Sequence, residues 1–162
     1  MIVGSTKENL TLEKRVSLTP ETTKNIIGLG LKVSIEREYA THLGIKDEEY
    51  KEVGAEIKNS STEVLNLSDL LIKVNCPSAE DINSLKENTI LIGMLNSSKN
   101  KNEINIILEK KINVFSLELL PRITRAQSMD VLSSQSNLAG YRAVVDCVAE
   151  FEKAVPMMMT AA

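Results

Sequence analysis

The 162-residue sequence is poor in the residue types that most often announce chemistry. It has no tryptophan, three tyrosines, two phenylalanines, one histidine and two cysteines. With 3% aromatic residues and a net charge of −3 there is neither a stacking platform nor a basic stripe, which excludes nucleic acid as a partner. A single histidine, His42, leaves no cluster for a histidine-based metal site. Cys76 and Cys147 form no C-x-x-C pair, so two reduced thiols are expected, with no disulfide framework and no metal. No run approaches the roughly 18 consecutive apolar residues of a membrane span. Met1-Ile2-Val3-Gly4 leads into a strand pattern rather than a secretion signal. A dinucleotide-binding turn is missing too. G-x-G-x-x-G must sit between a strand and a helix so that a pyrophosphate meets the helix N-terminus. The one G-x-G, Gly28-Leu29-Gly30, follows a helical pattern, precedes a strand, and has Val33 at the third position. It reads as a helix C-cap.

What is present is the composition of an ordinary globular chain, 43% hydrophobic and 25% charged, with enough length for one domain and a real core. Residues 1–5 read as a buried strand and Lys7–Arg15 as a charged loop. Thr19-Pro20-Glu21 announces a helix, with Thr19 as N-cap and Pro20 at the first position, running to about Ile27–Leu29. Strands are expected at Leu31–Glu36, Ala55–Lys58, Asp69–Val74, Thr89–Leu95 and Ile112–Ser116. Helices are expected at Asp47–Val53, Ser61–Asn66, Ser78–Leu85 and Lys99–Lys110, the last with Ile104, Ile107 and Leu108 inward. A long helix should begin at Ser136 or Asn137 and reach about Ala154, its apolar face made of Leu138, Val144, Val145, Val148 and Phe151, with Cys147 in the core. Strands alternating with helices at this spacing predict an α/β fold with a mostly parallel sheet flanked by helices, in which ligands sit beyond the carboxyl ends of the strands.

Two groups of residues could carry chemistry. The stretch Pro121–Arg142 (P-R-I-T-R-A-Q-S-M-D-V-L-S-S-Q-S-N-L-A-G-Y-R) packs three arginines, two glutamines, an aspartate, an asparagine and four serines together. Guanidinium forks mixed with amides and hydroxyls suit orientation of a polar, partly anionic ligand. The plainer reading is a loop whose polar groups satisfy one another and cap the long helix. The second group is Arg15, in the loop after the first strand, and Lys73, inside an otherwise apolar strand where an unpaired ammonium is costly. Lys73 either points out at the strand end toward a ligand or pairs with a structural acid such as Glu118.

The segment R-x-x-R-A-Q-S-M-D-x-L-S-S followed by N-L-A-G-Y-R closely resembles the NAD(H)-binding domain of proton-translocating NAD(P) transhydrogenases, in its N-terminal half. At a lower level the resemblance extends over E-K-R-V-S-L-T-P and L-I-K-V-N-C-P. Alanine dehydrogenases share the architecture and are the nearest competing family. The resemblance implies a flavodoxin-like or Rossmann-like half of a two-lobed NAD domain, with residues 1–135 as the α/β domain and 136–162 as a connecting helix and tail. It implies hydride transfer between NAD(H) and NADP(H), coupled to proton translocation. Arg122, Gln127, Asp130 and Ser133 would line the nicotinamide site, with Gln127 and Asp130 orienting the ring for the reaction. Arg125 also matches the motif, without an assigned role.

The implied partners are a downstream Rossmann half, a membrane domain and an NADP(H)-binding domain, with the NAD domain homodimeric and on the cytoplasmic or matrix side of the membrane. The resemblance puts the family's Rossmann glycines beyond Pro156–Ala162. The expectation is therefore that another polypeptide supplies that half or that the gene is interrupted, with Met157–Met159 awaiting a partner surface. In the alanine dehydrogenases an arginine and a lysine at the positions of Arg15 and Lys73 hold an oxo acid, and a histidine after the next strand is the acid/base. Here that strand ends Met94-Leu95-Asn96-Ser97, with no histidine. A related amino-acid oxidoreductase, of the alanine or saccharopine dehydrogenase kind, and a non-catalytic assembly module are the alternatives.

Overall fold

The computed structural model describes residues 1–153. It divides into two compact units, Met1–Leu119 and the chain from Leu120 onward. The expected tail at Met157–Met159, and the predicted end of the long helix near Ala154, lie outside the described residues.

The first unit holds a six-stranded sheet: β1 (Ile2–Ser5), β2 (Lys32–Glu36), β3 (Glu56–Lys58), β4 (Leu70–Asn75), β5 (Ile90–Met94) and β6 (Asn113–Ser116). Their order is β3-β2-β1-β4-β5-β6, and every neighbouring pair is parallel. This is the doubly wound order of dinucleotide-binding folds, with the direction of winding reversing between β1 and β4. The expected parallel α/β architecture is therefore present.

The connecting helices begin where the capping chemistry places them. In α1 (Pro20–Gly28), Thr19 accepts from the backbone of Thr22 while the Thr22 hydroxyl bonds back to Thr19, and Pro20 stands at the first turn. Gly30 turns the chain out of α1 with a φ of +82°, in the left-handed region that favours glycine. α2 (Asp47–Glu52) follows β2, and α3 (Ser61–Leu67) is capped by Ser60, which accepts from Glu63 N. α4 (Ala79–Ser84) is capped by Ser78 in the same way. α5 spans Lys101–Glu109, two residues later than the Lys99 start expected. Ile107 is buried, but Leu108 is 69% exposed, contrary to its predicted inward position; one residue of helix rotation carries it off the apolar stripe.

Two apolar cores result. One gathers Val3, Leu18, Val33, Ile35, Tyr39 and Tyr50, with Leu70 and Ile72 against it. The other gathers Leu65, Leu71, Ile82, Leu91, Leu95 and Ile107. Alternate residues of β4 serve different cores, so the two lie on opposite faces of the sheet. In the first, the Tyr39 hydroxyl meets Ser5 Oγ (2.8 Å) and Ser17 Oγ (2.9 Å), and both serines also donate to Ile72 O. That network satisfies the hydroxyls of Ser5, Ser17 and Tyr39 and ties β1 and the segment after β2 to β4.

In the second unit, a 3-10 turn (Thr124–Met129) leads into α6 (Val131–Glu150). This helix starts five residues earlier than the Ser136 expected, and runs through the 135/136 division drawn from sequence. The reason is Asp130, which accepts from Ser133 N (3.0 Å) and acts as the N-cap. No residue of α6 is buried; Leu138, Tyr141, Val144, Val145, Val148 and Phe151 are all exposed. Cys147 is exposed as well, not in the core as expected, because the apolar face it shares is uncovered. Among the described residues no helix is long and apolar enough to cross a membrane, and no group of residues could hold a metal ion.

Candidate functional site

Where the winding reverses, the loops after β1, β4 and β5 enclose a crevice of about 470 Å³. Such crevices are the general ligand position of open parallel sheets. Lys73 lies on its wall with only 5% of its side chain exposed. Its ammonium donates to Lys7 O (2.6 Å), Thr6 O (3.4 Å) and Thr6 Oγ1 (3.3 Å), and stands 3.6 Å from Glu8. The acid anticipated as its partner, Glu118, is occupied elsewhere: its carboxylate accepts from Leu95 N (3.1 Å) and Asn96 N (2.6 Å). Local backbone geometry explains the choice. The β1–β4 pairing stops at Gly4 and Leu71, and beyond the end of β1 the Val74 amide donates to Glu8 Oε1 at 2.8 Å, while on the other side of β4 the register with β5 shifts between Ile72 and Asn75. Gly93 permits the shift, because a Cβ there would lie 2.7 Å from Lys73 O.

Arg15 is likewise engaged. Its Nε and Nη2 donate to the two oxygens of Glu13 at 2.8 and 2.6 Å, and Asn75 Nδ2 donates to the same carboxylate at 3.2 Å. The Arg15 guanidinium draws the Glu13 carboxyl down to about 2. Arg15 itself does not line the crevice, so a carboxylate entering there would meet Lys73 and compete for it with Glu8. Cys76 lines the crevice as a neutral thiol, pushed up to about 11 by burial and, secondarily, by Glu103 and Glu118. No histidine is there: His42 is exposed, and its Nε2 lies 2.8 Å from Lys14 O. Glu8 and Glu13 went unnoticed in the sequence because both sit in a charged loop that reads as solvated. The signal that could have found them is a lysine in an apolar strand, which demands an acid nearby.

The four residues singled out in the motif fall together in the second unit. Arg122, Gln127, Asp130 and Ser133 line one cavity of about 300 Å³, along with Pro121, Ile123, Thr124 and Ala126. The 3-10 turn brings positions 124, 127 and 130 onto one side by its three-residue repeat. Asp130 is held at the N-terminus of α6 by the Ser133 hydroxyl (2.6 Å) and amide (3.0 Å). Those bonds, with the nearby Arg122 charge, keep its carboxyl below the usual range. The Gln127 side-chain amide has no hydrogen-bond partner among the described residues, and Arg125 does not line the cavity. Asp130 and Ser133 thus cap the helix, as the plainer reading of this stretch expects, while Arg122 and Gln127 line the cavity without taking part in the cap.

Gly28-Leu29-Gly30 is the C-terminal cap of α1, as its position in the sequence indicated, and offers no phosphate cradle. Among the described residues, none supplies a glycine-rich turn at a helix N-terminus.

A family model described as alanine dehydrogenase/PNT, N-terminal domain, matches residues 4–139. An NAD(P) transhydrogenase alpha-subunit polypeptide of Rhodospirillum rubrum is 40% identical over 167 residues, covering 100% of this chain and 44% of that protein. An alanine dehydrogenase of Methanococcus maripaludis is 32% identical over 140 residues, covering 86% of this chain and 37% of that one. Among solved structures, the crystal structure of transhydrogenase from Sinorhizobium meliloti aligns with a TM-score of 0.90 at 39% identity, over 99% of this chain and 48% of that chain. The chain thus spans less than half the length of the curated relatives it matches.

Proposed function

The chain belongs to the alanine dehydrogenase/PNT N-terminal domain family, and on that premise we propose that it is the N-terminal portion of the NAD(H)-binding component of a proton-translocating NAD(P) transhydrogenase. In this reading it works with a Rossmann half that carries the glycine-rich turn, with a membrane domain and with an NADP(H)-binding domain. The NAD domain is a homodimer on the cytoplasmic or matrix side of the membrane. One observation carries the reading: similarity to a transhydrogenase subunit runs the whole length of the chain, and so spans the stretch whose four motif residues line a single cavity.

The residues present fit one end of the cofactor. An amide without an internal partner (Gln127), a guanidinium (Arg122), a carboxylate (Asp130) and a hydroxyl (Ser133) match the donors and acceptors of a nicotinamide carboxamide. The pyrophosphate would have to be held outside this chain's described residues. When bound, the nicotinamide supplies the hydride. Gln127 and Arg122 orient the carboxamide, and Asp130 and Ser133 fix the start of α6 so that this geometry is repeated at each turnover. Direct hydride transfer needs no proton donor, which agrees with a site free of histidine.

In the assembled enzyme, Gln127→Asn and Asp130→Asn should slow hydride transfer more than they weaken NADH binding. The second substitution keeps a good N-cap while removing the charge. Single-turnover transfer at wild-type rate in both variants would sink the assigned roles. An NADH fluorescence titration of this chain, alone and mixed with a polypeptide carrying the Rossmann half, tests the division of labour. Binding only in the mixture is expected, and binding in neither would favour an assembly module.

The crevice lined by Lys73 and by Glu13, the partner of Arg15, is the observation that favours the amino-acid oxidoreductase reading. Against it stand the missing histidine and the engagement of both cations by Glu8 and Glu13. Pyruvate and ammonia should therefore elicit no NADH oxidation.

A further inference from the structure

The cavity of the second unit has a side that the polar reading leaves unexplained. Ile123 lines it while 55% exposed. Its backbone is fully employed, donating to Pro121 O (2.9 Å) across a tight turn at Arg122 and accepting from Ala126 N (2.9 Å). Its side chain is not needed to hold that turn, and a β-branched residue of this size facing solvent gains nothing there by itself. Pro121 and the buried Ala126 stand beside it in the same lining. The cavity therefore has apolar members as well as the polar set of Arg122, Gln127, Asp130 and Ser133. A nicotinamide has the complementary division: a carboxamide that needs partners, and a ring face that gains by leaving water.

We propose that Ile123, flanked by Pro121 and Ala126, is the apolar contact for the nicotinamide ring, excluding water from one ring face while the polar residues hold the carboxamide. The inference rests on the transhydrogenase reading given above. Water exclusion matters because hydride transfer needs the two reacting carbons in direct contact.

The test compares two ligands on the assembled enzyme by equilibrium binding: NADH, and ADP-ribose, which lacks the nicotinamide. Ile123→Ser should weaken NADH roughly tenfold, the loss expected when about one buried aliphatic contact is removed. ADP-ribose affinity should stay within about twofold. Ile123→Val, which keeps most of the apolar surface, should restore most of the NADH affinity. Gln127→Ala, which removes the amide altogether, serves as the reference variant for binding. If Gln127→Ala weakens NADH selectively and Ile123→Ser does not, the ring contact is wrong and the nicotinamide site stands. If neither variant separates the two ligands, or if wild type binds neither ligand, the nicotinamide reading falls and the inference with it. Equal losses for both ligands in Ile123→Ser would mean a folding role and would overturn the proposal. A melting temperature matched to wild type should accompany the selective outcome.

Discussion

The Arg15 fork keeps Glu13 ionised down to about pH 2, against an ordinary value of 4.5, and that difference is a stability statement. Because the folded-state value is depressed, the contribution is fully present above about 4.5 and is lost as pH falls toward 2. Glu13→Gln should therefore unfold more easily than wild type at neutral pH, with the two stability curves converging as the pH approaches 2; urea titrations across that window would read it. A gap that stays constant would mean the partnership is packing rather than charge. At the same scale, the two thiols should separate. Cys147 is exposed on α6, whereas Cys76 is half-buried with its thiol pushed up to about 11. At about pH 8 a thiol reagent should modify Cys147 quickly and Cys76 only slowly until denaturant is added, since the thiolate is the reactive form. Equal rates would contradict the environment described for Cys76.

Among the elements, the β4–β5 pair is the one that local sequence alone could not have described. Gly93 lets the Lys73 carbonyl approach, Glu8 takes the Val74 amide beyond the end of β1, and the Lys73 ammonium returns to Glu8 and the Thr6–Lys7 carbonyls. Gly93→Ala puts a methyl 2.7 Å from a backbone oxygen and should cost about 1–3 kcal/mol by thermal or urea melts. A neutral result would show that the bulge can relax. The strands and most helices were legible because their signals are local: Thr19-Pro20, Ser60 and Ser78 name their helix starts, and unbroken apolar runs name buried parallel strands. Asp130 was misread because its residue type suits a ligand and an N-cap equally, which delayed the predicted start of α6. Glu8 was invisible because its partner lies 65 positions away, at Lys73. Leu108 and Cys147 fell on faces that periodicity marks as apolar, but periodicity cannot say whether anything covers a face.

At the scale of the whole molecule, both apolar cores and all six strands lie within Met1–Leu119. A polypeptide of residues 1–119 should accordingly fold alone and melt cooperatively near the midpoint of the full chain, checked by circular dichroism. A broad, non-cooperative melt would mean the sheet depends on the chain beyond Leu119. The all-parallel order also governs how the sheet comes to exist. With no antiparallel pair, it contains no hairpin that could close in microseconds and seed the rest. The central strand β1 pairs with β2 on one side but waits for β4 on the other, joining residue 3 to residue 70, so half of its partners arrive only after more than half of the unit has been synthesised. Until then β1 keeps one side unpaired. The slow closure of such long loops makes the nascent chain, more than the finished protein, the form in need of protection from aggregation.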